Sequence, residues 1–232
     1  MVFKERSYEK EYLDSSTIEQ KDLFRNLKEL HIINTLLGGY NASLIGLKDI
    51  LKKRKDLINI LDIGFGGGDS IKQLSNYAAK LNLHLFFYGV DLKEDCIRYA
   101  TENLITIPNK ELICEDYRDI SAELLTNIDV IHCSLFLHHL TDEEIISLFK
   151  FCKTNECIVL VNDLHRHWLA YYSIKFLTAL FSKSYLVKND APLSVRRGFL
   201  KAELASLLTK AGFTEFSITW TWAFRFRIIA YK

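Results

Sequence analysis

Asn59-Ile60-Leu61-Asp62-Ile63-Gly64-Phe65-Gly66-Gly67-Gly68 is the stretch that decides the fold. A short apolar run ends in an acid, a glycine-rich turn follows at once, and Ser70-Ile71-Lys72-Gln73-Leu74 opens a helical pattern. Strand, glycine turn and helix together bring a nucleotide-like ligand against bare backbone at a helix N-terminus. The glycines are needed because a side chain there would clash with the ligand or block a positive φ.

A second apolar and aromatic run, Leu85-Phe86-Phe87-Tyr88-Gly89-Val90, reads as a buried parallel strand and ends in Asp91. In α/β nucleotide sites an acid at this place hydrogen-bonds ribose hydroxyls. The glycine spacing narrows the ligand class. A dinucleotide fingerprint needs Gly-x-Gly-x-x-Gly; Gly64 and Gly66 fit it, but its third position is occupied by Asp69.

The pattern Asp62-x-Gly64-x-Gly66-x-Gly68 instead resembles motif I of the class I S-adenosylmethionine (SAM)-dependent methyltransferases. Cys114-Glu115-Asp116-Tyr117 is similar to that family's adenine-site acid and its neighbours. Asp129-Val130-Ile131-His132-Cys133-Ser134, running on to His138-His139-Leu140, resembles its fourth strand and the loop beyond. Gly198-Phe199-Leu200-Lys201 through Lys210-Ala211-Gly212-Phe213 resembles its late helix. The resemblance covers roughly residues 20–232. It implies SAM as cofactor, with S-adenosylhomocysteine (SAH) as product. It places Asp62 near the methionine amino group, Gly64, Gly66 and Gly68 as bare backbone, Asp91 on the ribose and Asp116 toward the adenine. Leu92, Tyr117 and Ser134 complete the implied cofactor contacts. Phe65 departs from the smaller residue common between the first two glycines, and its bulk bears on how the methionine end is packed.

The chain has 232 residues, with 30 Lys and Arg against 29 Asp and Glu. That length suits one α/β domain, and the near-neutral balance gives no nucleic-acid footprint. The five cysteines lack zinc spacing and read as free thiols of a reducing, cytoplasmic compartment. No apolar run is long enough to span a bilayer.

Residues 1–56 read as helices capping the domain, with Leu23, Leu27, Leu30, Ile33 and Leu37 at helical spacing and Gly38-Gly39 as the stop. Residues 57–232 form the cofactor domain. Within it, predicted strands at 58–63, 85–90, 110–114, 128–133 and 157–162 alternate with helices near 69–81, 94–104 and 141–152. Such alternation gives a doubly wound, mostly parallel α/β sheet. The family pattern adds an antiparallel last strand inserted beside the fifth, for seven strands. Residues 164–198 are a helical insertion after strand 5, and 168–181 is apolar nearly all round. It is open at this stage whether that helix is a lid, a homodimer contact or a membrane-associating surface.

Methyl transfer from a sulfonium needs alignment and water exclusion, and a base only for a weakly acidic acceptor. No metal cluster is expected. His138, His165 and His167 are the candidate bases, and Arg166 a candidate for holding a carboxylate or phenolate. The same sites read blandly as packing, capping or a solvated loop. Glu11-Tyr12-Leu13-Asp14, Asn34-Thr35-Leu36-Leu37-Gly38-Gly39, Asp163-Leu164-His165-Arg166-His167 and Ser194-Val195-Arg196-Arg197 together resemble a bacterial subgroup acting on phenolic, polyketide or quinone-like metabolites. That resemblance implies O- or C-methylation of a small aromatic molecule. The rival readings are a non-catalytic SAM-fold binding module and a nicotinamide-dependent oxidoreductase.

Overall fold

A computed structural model describes residues 3–15, 17–52 and 58–231. The expected join between cap and domain, near residues 56 and 57, lies outside the described residues. Helices α1 (Gln20–Leu36) and α2 (Asn41–Leu51) come first. Gly38 separates them at φ +68°, a left-handed conformation that glycine adopts without penalty. There follow β1 (Ile58–Ile63), α3 (Asp69–Lys80), β2 (Leu85–Asp91), α4 (Glu94–Asn103), β3 (Lys110–Cys114), α5 (Ala122–Leu125) and β4 (Val130–Ser134). Then come α6 (Asp142–Thr154), β5 (Ile158–Leu164), α7 (Trp168–Phe181), α8 (Tyr185–Arg197), α9 (Lys201–Lys210), β6 (Phe216–Thr221) and β7 (Arg225–Ala230). The expected capping box opens α6, with Thr141 and Glu144 bonding each other's backbone N–H.

The seven strands form one sheet in the order β3-β2-β1-β4-β5-β7-β6, and β7 runs antiparallel to both its neighbours. Both faces are covered, which is why the inner strands read as continuous apolar runs. Leu61, Ile131, Val159 and Ile228 pack on the side of α6 and α9. Ile60, Phe87, Val130 and Leu160 pack on the side of α2 and α3. Strand order reverses between β1 and β4, and the crevice outside their C-terminal ends is where such sheets bind ligands.

Two parts depart from the expected layout. Residues 3–11 are not helical; they form a strap along the C-terminal edge of the sheet, followed by a short turn at 12–14. The backbone of the strap finds its partners in the insertion, with the Ser7 N–H donating to the Arg196 carbonyl. Arg6 pins it by donating to the Leu140 carbonyl at 2.6 Å and to Asp142 at 2.7 Å, with its guanidinium 4.3 Å over the Phe199 ring. The insertion itself is two helices, α7 and α8, packed on each other. Ala170, Ser173, Ile174 and Leu177 of α7 face inward, while Trp168, Tyr172, Phe176, Leu180 and Phe181 are exposed. No helix among the described residues is long and apolar enough to cross a membrane.

Candidate active site

At the switch point the sheet opens into a cleft of about 1100 Å³. The glycine turn after β1 forms one end, and α1, the strap, α7 and α8 close it from above. Gly64 and Gly66 line it at φ +67° and +55°, and Gly67 lines it as well. Gly68, at φ +76°, caps α3 and turns toward the packed side, where a Cβ would press on Leu104 and Ala100. Its glycine serves helix packing rather than the cleft.

Asp91 accepts hydrogen bonds from the backbone of Gly66 (2.9 Å) and Lys93 (3.0 Å), clamping the glycine turn to the end of β2. Burial pushes its carboxyl pKa up, against the pull of those two N–H groups. Phe65 turns under the loop into space that Gly89 leaves free: a Cβ on Gly89 would lie 2.8 Å from the Phe65 ring and 2.9 Å from Leu112. The bulk at position 65 is thus answered from β2. Gly89→Ala is expected to lower stability by about 1–3 kcal/mol through overpacking, read as a lower denaturant midpoint with an unchanged slope.

Asp69, standing where a dinucleotide site has its third glycine, lines the cleft and pairs with His31 of α1 at 3.0 Å. A carboxylate there would repel a pyrophosphate. Leu92, 70% exposed, lines the cleft beside Asp116, Tyr117 and Ser134. Both oxygens of Asp116 are held by Arg118, at 2.9 and 2.5 Å, which keeps its carboxyl below the usual range. Tyr117 packs edge-on against Phe136 and Phe151, and burial pushes its phenol up to about 12.

Asp62 does not line the cleft. It lies buried at the end of β1, bonding His132 at 2.8 Å, and His132 bonds Ser43 of α2 at 2.8 Å. Its other oxygen, Oδ2, has no hydrogen-bond partner among the described residues. Asn26 of α1, which the sequence reading passed over, does line the cleft, and both its amide atoms are buried without a partner. Each unpaired buried polar atom costs about 1–3 kcal/mol, so the two amide atoms of Asn26 fit a ligand carrying both donors and acceptors. The amino-acid end of SAM is such a group.

Beyond Ser134 the cleft ends in a polar corner. His138 is buried, with Nδ1 held by Asp163 at 2.8 Å. His139 is held through Nδ1 by Asp14 at 2.9 Å. Both Nε2 atoms point at Glu11 of the strap, at 3.7 and 3.9 Å. Glu11 accepts from Ser194 of α8 at 2.7 Å. Arg197 donates to Asp14 and to the carbonyls of His138 and His139, each at 2.9 Å. Burial works against ionisation of Asp14, but hydrogen bonds from His139 and Arg197 prevail and hold its carboxyl well below the usual range. His139 is correspondingly raised, despite burial, by Asp14 and Glu11.

The remaining candidates lie elsewhere. Arg166 is fully buried outside the cleft, paired with Glu203 at 2.5 and 3.0 Å and donating to the carbonyls of Phe3, Lys4 and Gly198. His167 caps α7 by accepting from the Leu169 N–H and stacks on Phe224. His165 packs against Phe226 and Phe224 with its Nδ1 buried and unpaired; burial lowers its pKa, aided by His167 and Arg166. Sequence reasoning missed the roles of Glu11, Asp14, Asn26 and Asp163 at the site. Only Asp163 carried a usable signal, because it ends an apolar strand as Asp62 and Asp91 do.

Residues 60–154 match the model of a family described as a methyltransferase domain. Among solved structures, a SAM-dependent methyltransferase from Aquifex aeolicus is similar at 15% identity and TM-score 0.61, over 92% of this chain and 98% of that one. The plantazolicin methyltransferase, solved with a substrate analogue and SAH, is similar at 20% identity and TM-score 0.64, over 87% and 78%. The CMeT domain of the citrinin polyketide synthase is similar at 14% identity and TM-score 0.57, over 80% of this chain; the match spans 50% of that structure's chain. No curated protein sequence matches the chain. Residues 60–154 thus match a methyltransferase-domain family, and the chain shares the fold of these solved methyltransferases.

Proposed function

We propose that this protein transfers the methyl group of SAM to an oxygen or carbon of a small, hydrophobic, aromatic metabolite. One observation carries the reading: a single cleft runs from the glycine turn to the corner of Glu11, His138 and His139. Pockets for one drug-sized ligand occupy about 300–1,000 Å³, so the cleft is roomy enough for a cofactor and an acceptor side by side. SAM, when bound, supplies the electrophilic methyl. Asp91 and the N–H groups of the glycine turn hold its ribose and methionine ends, Asn26 takes its amino-acid group, and Leu92, Asp116 and Tyr117 flank the adenine.

The acceptor's side is apolar along Phe136, Ile174, Leu177 and Val195, which favours a flat hydrophobic molecule and excludes water. Its hydroxyl is held and polarised at His138, so that the oxygen, or the ring carbon it activates, faces the methyl group. The N-terminal helices serve as the cap over both ligands. Five free cysteines support a reducing compartment such as the cytoplasm, and the exposed face of α7 is available for a homodimer contact.

Calorimetric titration tests the cofactor half. SAH is expected to bind and NADH not to bind. Asp91→Ala is expected to weaken SAH about 10–100-fold, the worth of hydrogen bonds to a charged group. Binding of NADH alone would overturn the reading. A screen of phenols and quinols for methyl uptake tests the acceptor half, and SAH binding with no acceptor methylated would favour a non-catalytic module.

A further inference from the structure

The corner of Glu11, His138 and His139 contains a geometry that hydrogen bonding within the chain does not explain. Two imidazoles, His138 buried and His139 partly exposed, face the two oxygens of one buried carboxylate, yet the gaps are 3.7 and 3.9 Å. N–H···O hydrogen bonds close at about 2.7–3.2 Å, so neither gap is one. We propose that this corner is a divalent transition-metal site, with Glu11 and the Nε2 atoms of His138 and His139 as its ligands.

Three observations converge on it. First, two donors each about 2.0–2.2 Å from a shared ion stand up to about 4.2 Å apart, which accommodates both gaps. All three donor atoms lie within 4.8 Å of one another, and the two rings sit with centroids 4.3 Å apart, so a small ring rotation completes the set. Second, each imidazole is already oriented as metal-bound histidines are. Its Nδ1 is held by a carboxylate, Asp163 for His138 and Asp14 for His139, leaving Nε2 free to ligate.

Third, the charges balance around a dication. The acids facing the corner are Glu11 and Asp14 from the strap and following turn, Asp163 from β5 and Asp190 from α8. The guanidinium groups facing it are Arg197, on Asp14, and Arg225, beside Asp163. Arg6 is matched by Asp142. Four carboxylates against two guanidinium groups leave two negative charges in a buried place. One divalent ion would neutralise them.

Two imidazoles and a carboxylate suit zinc, manganese or iron, whereas magnesium prefers all-oxygen shells. The remaining coordination positions would face the cleft, where an acceptor's hydroxyl oxygen would sit. That last step rests on the function proposed above; metal binding itself does not.

The test is titration of the metal-free chain with ZnCl2, MnCl2 and MgCl2, without cofactor or acceptor. The expected result is one Zn²⁺ or Mn²⁺ per chain and little Mg²⁺. Glu11→Gln should abolish binding, and Asp163→Asn should weaken it about 10–100-fold through loss of the histidine's support. SAH affinity serves as the fold control for both variants. X-ray absorption of the Zn²⁺-loaded wild type should show two imidazole ligands, independently of any variant. Uptake that survives Glu11→Gln marks surface histidine or thiol binding and overturns the proposal. So does no uptake at all, which would give the gap to the acceptor's own hydroxyl. Metal binding without SAH binding would instead fault the cofactor reading and leave the site standing.

Discussion

Arg166→Met is expected to destabilise the fold by about 3 kcal/mol or more while leaving SAH affinity of the folded protein unchanged. The side chain is fully buried and binds five oxygens, three of them backbone carbonyls at the start of the strap and the end of α8. Methionine fills the volume but donates nothing. The three carbonyls would lose their charged donor, and each unpaired one costs about 1–3 kcal/mol. Glu203, 35% exposed, can recover water, so it adds less than a fully buried partner would. Against a total stability of about 5–15 kcal/mol this is a large fraction. Urea denaturation measures it. Unchanged stability together with lost turnover would show that Arg166 acts on substrate after all.

The second large effect falls on turnover. His138→Asn should slow methyl transfer by about 10²–10⁴-fold, the range for a side chain that takes or polarises a reacting proton. SAH affinity should stay within a few-fold, because His138 lies beyond Ser134 at the acceptor end of the cleft. Asp163→Asn should show a smaller loss in the same direction, since it frees the ring that Asp163 holds at 2.8 Å. Steady-state rates with saturating acceptor, set beside SAH calorimetry, separate the two ends of the site. Turnover of His138→Asn close to wild type would rule the corner out of the chemistry.

The sheet was legible because its signals are local. Each inner strand is an unbroken apolar run, and Asp62 and Asp91 mark two C-terminal ends. β6 and β7 were placed by resemblance, and the pairing of β7 with β5 agrees. The glycine turn and its clamp could be read for the same reason: the glycines and Asp91 lie in two short segments.

The acceptor end could not. Glu11, His138, Asp163 and Ser194 are scattered along most of the chain and meet only through packing. Polar density in 162–167 drew attention to Arg166 and His167, but a strand end alternates its side chains. Asp163 turns to His138, while Arg166 turns to the strap and Glu203. Within the helical insertion, α8 was not delimited as a separate helix because its apolar residues are spread thinly and Pro192 interrupts the pattern. The helical expectation for residues 3–11 failed because α8 satisfies the strap's backbone from outside.

The strap also sets the order in which the protein becomes competent. Glu11 reaches the corner only when residues 3–15 have closed onto α8 and the loop after β4, contacts between segments far apart in the chain. Closing so long a loop is entropically slow and has to follow formation of the sheet it lies on. The acceptor end is therefore the last part to assemble and the first to open. An N-terminal nick or deletion would leave a folded sheet that still carries its glycine turn and Asp91 but has lost the means to seat an acceptor.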